Sequence, residues 1–186
     1  MRGRAILAVA VLAVSALSAV AAVRFAAPRV VAKAAQWQEI SWPFPRDGWP
    51  AGRAFRCEDC GGELGGVELY VRPKIGFCNC TTGVADDDEV DRVADLDLIS
   101  PRFAPREAGR AVQVAGLSGR SRAYDLAMPD GASHAAIGIA LSRRCDLLVA
   151  VAQGAAAPHE LQRAAFDYLA SGELHHWMMA ALSARH

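Results

Sequence analysis

The feature that most constrains this chain is an uncharged apolar stretch close to its N-terminus. Residues 5–23 read AILAVAVLAVSALSAVAAV, and the basic residues Arg2, Arg4 and Arg24 flank them. As a helix this stretch spans about 28 Å at 1.5 Å per residue, close to the thickness of the hydrocarbon core of a bilayer. It has no polar face that could lie against solvent, so it is not typical of a helix in the core of a soluble domain.

Residues 1–34 are therefore predicted to be a signal peptide or a membrane anchor. Small residues at alternate positions, which cleavage of a signal peptide requires, occur at residues 19–21 and 32–34. Both alternatives export the rest of the chain, to the periplasm or to the periplasmic side of the inner membrane. If the segment is not cleaved, residues 5–23 make the membrane a binding partner.

The remaining residues are expected to form one domain. The chain has 186 residues, of which 53% are apolar, which is enough for one core and excludes a disordered protein. Its 20 Lys and Arg balance its 20 Asp and Glu, so no basic surface for nucleic acid is expected. Residues 35–53, rich in Trp and Pro, are predicted to form a tether. Residues 54–186 are predicted to form a single α+β domain.

Four cysteines form two clusters, Cys57-Glu-Asp-Cys60 and Cys78-Asn-Cys80. The first cluster and the glycine after it resemble the first knuckle of zinc-ribbon proteins, and the separation of the clusters suits zinc. The second cluster has one residue between its cysteines, where a zinc ribbon has two. In this alternative zinc is the cofactor, its ligands are Cys57, Cys60, Cys78 and Cys80, and the metal supplies folding energy.

Export favours the other alternative, which is structural disulfides. A bridge across the single residue Asn79 would be strained, so we expect pairing between the clusters rather than within them. Cys145 begins an apolar run and is expected to be a buried thiol, with pairing to a cluster or a nucleophilic role as alternatives. A weaker alternative is an envelope thiol-disulfide enzyme that uses Cys57 or Cys60, although no helix is expected to start beside them and lower a thiol pKa.

The pattern of apolar residues predicts an α+β fold. Strand-like alternation between the clusters, over residues 67–72, predicts a Cys-rich hairpin lobe over residues 54–82. Further alternation between Arg110 and Gly154 predicts an antiparallel meander, and two helices are expected after Pro158. The predicted fold is thus an antiparallel sheet with C-terminal helices packed on it, preceded by the Cys-rich lobe and an N-terminal hydrophobic helix.

No catalytic motif is complete. The sequence His159-Glu160-Leu-Gln-Arg163 begins like a zinc-protease helix, but Arg163 stands where the second His ligand belongs. The adjacent His175 and His176 diverge by about 100° on a helix. The acidic run from Asp86 to Asp97 lacks the Gly and Glu of a calcium loop and predicts a short solvated helix. We therefore expect a binding protein rather than an enzyme, with no catalytic residues.

Three stretches carry a resemblance: GRAVQVAGLSGRSRAYDL, GIALSRRCDLLVAVAQG and ELQRAAFDYL, between Gly109 and Leu169. They resemble the sheet-then-helix half of PsbP-like α/β/α domains. The segment GFCNCTTGVADDDEVDRVADLDLI is similar to segments of uncharacterised exported bacterial proteins. The resemblance implies an envelope location and a non-enzymatic accessory or binding module, with an envelope protein as a possible partner.

Overall fold

The computed structural model describes residues 35–45, 47–60, 62, 65–76 and 79–183. Within them, eight strands form one sheet in which every pairing is antiparallel. The strands run in the order β1-β2-β3-β8-β7-β6-β4, and β5 also pairs with β6. They are β1 (Trp37–Ile40), β2 (Arg53–Cys57), β3 (Val67–Lys74), β4 (Phe103–Pro105), β5 (Arg110–Val114), β6 (Leu117–Ala127), β7 (Ser133–Arg143) and β8 (Asp146–Gly154).

Two short helices, α1 (Asp87–Val93) and α2 (Leu96–Ile99), cover one face of the sheet. Their buried apolar residues, such as Val90 and Leu96, pack on Tyr124 of β6 and Val149 of β8. The first turn of α1 is acidic, and the Asp86 carboxylate accepts a hydrogen bond from the Glu89 N–H at 2.9 Å. This cap and the acidic residues suit the positive end of the helix dipole.

The acidic run is tied to arginines of β6. Arg120 Nε donates to Asp87 at 2.6 Å, and Arg122 Nη1 donates to Asp91 at 2.6 Å. Tyr124 donates to the same carboxylate of Asp91 at 2.5 Å. The short helix is present as expected, but its acidic side chains anchor it to the sheet rather than only facing solvent.

Two longer helices, α3 (Pro158–Leu169) and α4 (Gly172–Ala181), cover the opposite face. Leu161, Ala165 and Leu169 recur at helical spacing, are fully buried, and pack on β-strand residues such as Leu69 and Ile139. The helix α3 packs across β3, β8 and β7. All nine residues of β8 are buried, because helices cover both faces of this central strand.

The fold class predicted from the sequence is wrong in its layout. Helices lie on both faces of the sheet, where a single C-terminal helix layer was expected. The segment between the cysteine clusters is no separate lobe, since β3 pairs with β8 along seven residue pairs in the middle of the sheet. The lobe was predicted from the Cys and Gly residues that flank β3, which are its neighbours in the sequence. The pairing of β3 with β8 joins residues far apart in the chain, so this local pattern could not predict it.

The predicted hydrophobic helix lies in residues 1–34, outside the described residues. No helix in the described part of the chain is long and apolar enough to cross a membrane. In the region predicted as a tether, Trp37–Ile40 forms β1, and the Trp37 ring stacks on Tyr168 of α3 with ring centroids 4.6 Å apart.

Candidate functional site

A cleft of about 670 Å³ opens between α3 and the β5–β6 edge of the sheet. It forms because α3 packs on β3, β8 and β7, while the sheet continues past it into β6 and β5. The size suits a small ligand or one group of a larger one. Its walls are the first two turns of α3, the segment that joins β4 to β5, and the β6 residues between them.

The rim of this cleft is basic. Arg106 and Arg110 line it on the strand side, and His159 and Arg163 line it from α3. The one acidic residue in the lining is Glu107. Arg106 pairs with Asp125 and Arg110 with Glu107, while the charge of Arg163 has no acidic partner among the described residues, so the cleft attracts anions. Arg122 also lines it, but its guanidinium bonds Asp91 of α1.

The rim arginines are available to a ligand. Arg106 contacts Asp125 at 2.9 Å and Arg110 contacts Glu107 at 3.3 Å, and all four of these side chains are more than 40% exposed. Exposed ion pairs of this kind contribute little free energy and leave other guanidinium N–H groups for a ligand. Arg163 has no hydrogen bond or ion pair with any residue that the structure describes.

Three residues in the lining of the cleft are nearly closed to solvent, and one of them is polar. Ser121, Ala123 and Ile137 lie there and are 2%, 6% and 2% exposed. Ser121 and Ala123 alternate along β6, so their side chains point to the same face, the one on which α3 lies. The Ser121 hydroxyl has no hydrogen-bond partner among the described residues. A buried hydroxyl that faces a cleft is a ready donor for a ligand.

The predicted cysteine pairing is wrong. Cys57 is bonded to Cys60, and Cys80 is bonded to Cys145, with Cα atoms 5.5 and 4.2 Å apart. Cys57 and Cys80 lie at opposite ends of β3, which spans about 25 Å at 3.3 Å per residue. Cys57 lies opposite Val67 at the start of β3, so it cannot reach a residue beyond the far end.

The same register explains the partner of Cys80. Lys74 at the end of β3 lies opposite Leu147 of β8, two residues from Cys145 in the β7–β8 turn. Cys145 is therefore no buried thiol, and it belongs to a bridge. The chain is a disulfide-stapled module, and disulfides of this kind form in oxidising environments such as those of exported proteins.

The zinc alternative stays a prediction. Cys57, Cys60 and Cys80 are in disulfides, and Cys78 lies outside the described residues. Elsewhere in the described ranges, no group of three or more His, Cys, Asp or Glu residues could hold a metal ion. The acidic run from Asp86 to Asp97 is among the residues searched.

A buried ion cluster holds Asp47 to the sheet. The Arg72 guanidinium, 3% exposed, donates two hydrogen bonds to Asp95 and two to Asp47, all between 2.7 and 2.9 Å. Lys74 Nζ donates to Asp95 at 2.6 Å and to the Val93 carbonyl at 2.9 Å. The hydrogen bonds from Arg72 lower the pKa of Asp47 to about 2. The two positive and two negative charges balance, so the cluster is structural.

A second polar row crosses four strands on the α1 side of the sheet. Gln153 Nε2 donates to Glu68 at 2.8 Å, and Gln153 Oε1 lies 2.7 Å from His134 Nδ1. Arg56 and Tyr70 also donate to the Glu68 carboxylate. Burial opposes ionisation of Glu68, but these hydrogen bonds outweigh it and lower its pKa. The side chains of this row hydrogen-bond one another, and the row connects β2, β3, β8 and β7.

Local sequence patterns do not identify most of the cleft. His159 and Arg163 match only an incomplete metal motif, although their spacing of four residues places both on one face of α3. Arg110 and Ser121 come together only through the pairing of β5 with β6, and the Arg106 N–H donates to the Ala123 carbonyl of β6. The adjacent pair His175 and His176 lies on α4 and does not line this cleft.

No family model and no curated protein matches this chain. Among solved structures, it is similar to the crystal structure of a Pseudomonas aeruginosa protein of unknown function. The TM-score is 0.40 and the sequence identity 12%, and the match covers 67% of this chain and 82% of that chain.

Proposed function

We propose that this chain is an exported, non-enzymatic binding module whose basic cleft takes an anionic ligand. Its place is the periplasm, or the periplasmic face of the inner membrane where residues 5–23 are retained as an anchor. Two disulfides support an oxidising compartment, and the leader-like residues 1–34 support export.

One observation carries the assignment of the site. Arg110 of β5 and Arg163 of α3 line the same cleft as Ser121, a residue that is 2% exposed and whose hydroxyl has no partner among the described residues. Donors held apart by a rigid sheet and helix bind an acceptor at little entropic cost, because the protein has already ordered them. The neutralised ion cluster around Arg72 and the satisfied polar row around Glu68 offer no comparable set of available donors.

The contacts of Ser121 support the role of a ligand donor rather than of a serine nucleophile. No His, Asp or Glu is hydrogen-bonded to its hydroxyl within the described ranges, and a serine nucleophile needs such a base to be activated.

The test is a calorimetric titration of the oxidised protein with small anions, phosphate and succinate among them, at constant ionic strength. We expect saturable binding that weakens about tenfold in Arg163→Ala, because a hydrogen bond to a charged group contributes about 1.5–3 kcal/mol. The matched control is Arg92→Ala, which removes one positive charge from α1 on the opposite face. Absence of saturable binding, or equal weakening in both variants, would overturn the proposed function.

A further inference from the structure

The residues with donor groups that line the cleft lie on three elements. His159 and Arg163 are on α3, Arg110 is at the start of β5, and Ser121 is on β6. A planar carboxylate is satisfied by the fork of one arginine. A tetrahedral group with three terminal oxygens can accept from three directions at once, so this arrangement suits it better.

The start of α3 lies at the cleft, and Glu160 in its first turn offsets part of the positive end of the helix. This helix has 12 residues, and its first turn, with His159, lines the cleft. The N-terminus of a helix carries a partial positive charge and favours phosphate groups. A helix terminus alone is common, but here the Ser121 hydroxyl, in a residue that is 2% exposed, faces the same cleft without a partner among the described residues.

The charge of the cleft attracts the same group. Of the four arginines in the lining, Arg106, Arg110 and Arg122 each have an acidic partner, and Arg163 adds a positive charge that no described residue pairs with. A phosphate monoester carries about −1.5 to −2 at neutral pH, so this charge attracts it more strongly than it attracts a single carboxylate. Glu107 pairs with Arg110 at 3.3 Å, and the five N–H donors of a guanidinium leave Arg110 able to bind both.

We propose that the ligand of the cleft is a phosphate monoester, with its terminal oxygens bound by Arg110, Arg163 and the Ser121 hydroxyl. This assignment rests on the proposed function, since it names the class of anion that the cleft takes. The organic part of the bound ester extends from the phosphate past Gln162 and the half-buried ring of Phe166. The phosphate belongs to a soluble ester or to a lipid headgroup, which share this chemistry.

The experiment titrates the full oxidised protein with glycerol 3-phosphate, inorganic phosphate, succinate and vesicles that contain phosphatidate, at one ionic strength. We expect the phosphates to bind at least tenfold more tightly than succinate. Binding of free glycerol 3-phosphate would identify a soluble source. Binding to phosphatidate vesicles with much weaker binding of the free ester would identify a lipid headgroup.

Two variants tie the preference to the cleft. Ser121→Ala is expected to lower phosphate affinity about fivefold to tenfold and to leave succinate affinity unchanged. Its matched control is Ser118→Ala, three positions earlier on β6 and exposed on the other face. Because Ser121 is buried, the thermal unfolding of Ser121→Ala is first compared with that of wild type. A second variant, Arg163→Gln, changes an exposed residue and tests the same site without a change in the core.

The failures can be told apart. If succinate binds as tightly as the phosphates, or if Ser121→Ala binds phosphate like wild type, the phosphate assignment is wrong and the anion site stands. If no anion binds saturably, both the assignment and the proposed function are wrong.

Discussion

Arg72 holds Asp95 through two parallel hydrogen bonds, from Nε to Oδ2 and from Nη2 to Oδ1, both 2.7 Å long. The same guanidinium donates two more hydrogen bonds to Asp47. Asp95, between α1 and α2, adopts a left-handed backbone conformation with φ of 55°. This conformation costs free energy, and the contacts of the Asp95 carboxylate offset that cost. The Arg72 side chain of β3 therefore joins Asp47 to the turn between the two short helices.

The first prediction concerns Arg72 itself. Replacement by Met keeps most of the volume but leaves Asp95 and Asp47 without their main cation, so we expect a loss of about 3–5 kcal/mol in the free energy of unfolding. Urea unfolding measures it. Arg106→Met, which removes an arginine from the exposed pair with Asp125, is the control and should cost under about 1 kcal/mol. Equal effects of the two variants would contradict the account.

The second prediction concerns acid. The pKa of Asp47 falls from its ordinary 3.8 to about 2 in the folded protein, because Arg72 hydrogen-bonds the ionised form. A lowered folded-state pKa adds stability above the unfolded-state value, and that stability is lost as the pH falls through the folded-state value. We therefore expect wild type to lose stability from about pH 4 down to about pH 2 more steeply than Asp47→Asn.

The comparison requires unfolding free energies of both proteins over that pH range. The difference between them should be constant from neutral pH down to about pH 5 and should shrink below it. A difference that stays the same down to pH 2 would show that Asp47 is not ionised and paired as described.

The third prediction ranks the two disulfides. The bridge Cys80–Cys145 joins residues 65 apart and Cys57–Cys60 joins residues 3 apart. Loop entropy in the unfolded chain gives about 4 kcal/mol for the long loop and about 2 kcal/mol for the short one. The double variant Cys80→Ala/Cys145→Ala should therefore lose more stability than Cys57→Ala/Cys60→Ala. The opposite order in thermal unfolding would count against the pairing.

The fourth prediction concerns thiol content. Two bridges use four of the five cysteines, and the fifth, Cys78, lies outside the described residues. The denatured, unreduced protein should therefore accept no more than one alkyl group, and the reduced protein five. Intact mass, measured on protein produced with its own leader, gives both counts and also reads leader cleavage. A zinc assay on the same sample tests the metal alternative. Four or more reactive thiols with one bound zinc would overturn the disulfide account and the export that it supports.

Local patterns in the sequence predicted individual elements but not their neighbours. Alternation located β3 and the strands from Arg110 to Gly154, and apolar spacing located α3 and α4. The pairing of β3 with β8 decides that Cys57 and Cys80 lie at opposite ends of a central strand. No local pattern encodes that pairing, which explains why both the separate lobe and the cross-paired cysteines were wrong.

The same limit applies to charge. The acidic run predicted a solvated helix because its partners, Arg120 and Arg122, lie about 30 residues away on β6. The sequence shows that Arg120 and Arg122 lie on the same face of a strand, but it does not show that α1 packs on that face. The basic cleft was hidden for the same reason, since a balanced net charge says nothing about where three arginines meet.

The central claim is that the basic cleft between α3 and β5 is where this protein binds its ligand. The most direct measurement is a map of backbone amide chemical shifts during titration of the oxidised protein with glycerol 3-phosphate at constant ionic strength. The account predicts saturable shifts concentrated at Arg110, Ser121 and residues 159–163. Shifts spread over the basic residues of the whole surface, or centred on Arg56 or Arg144, would contradict it.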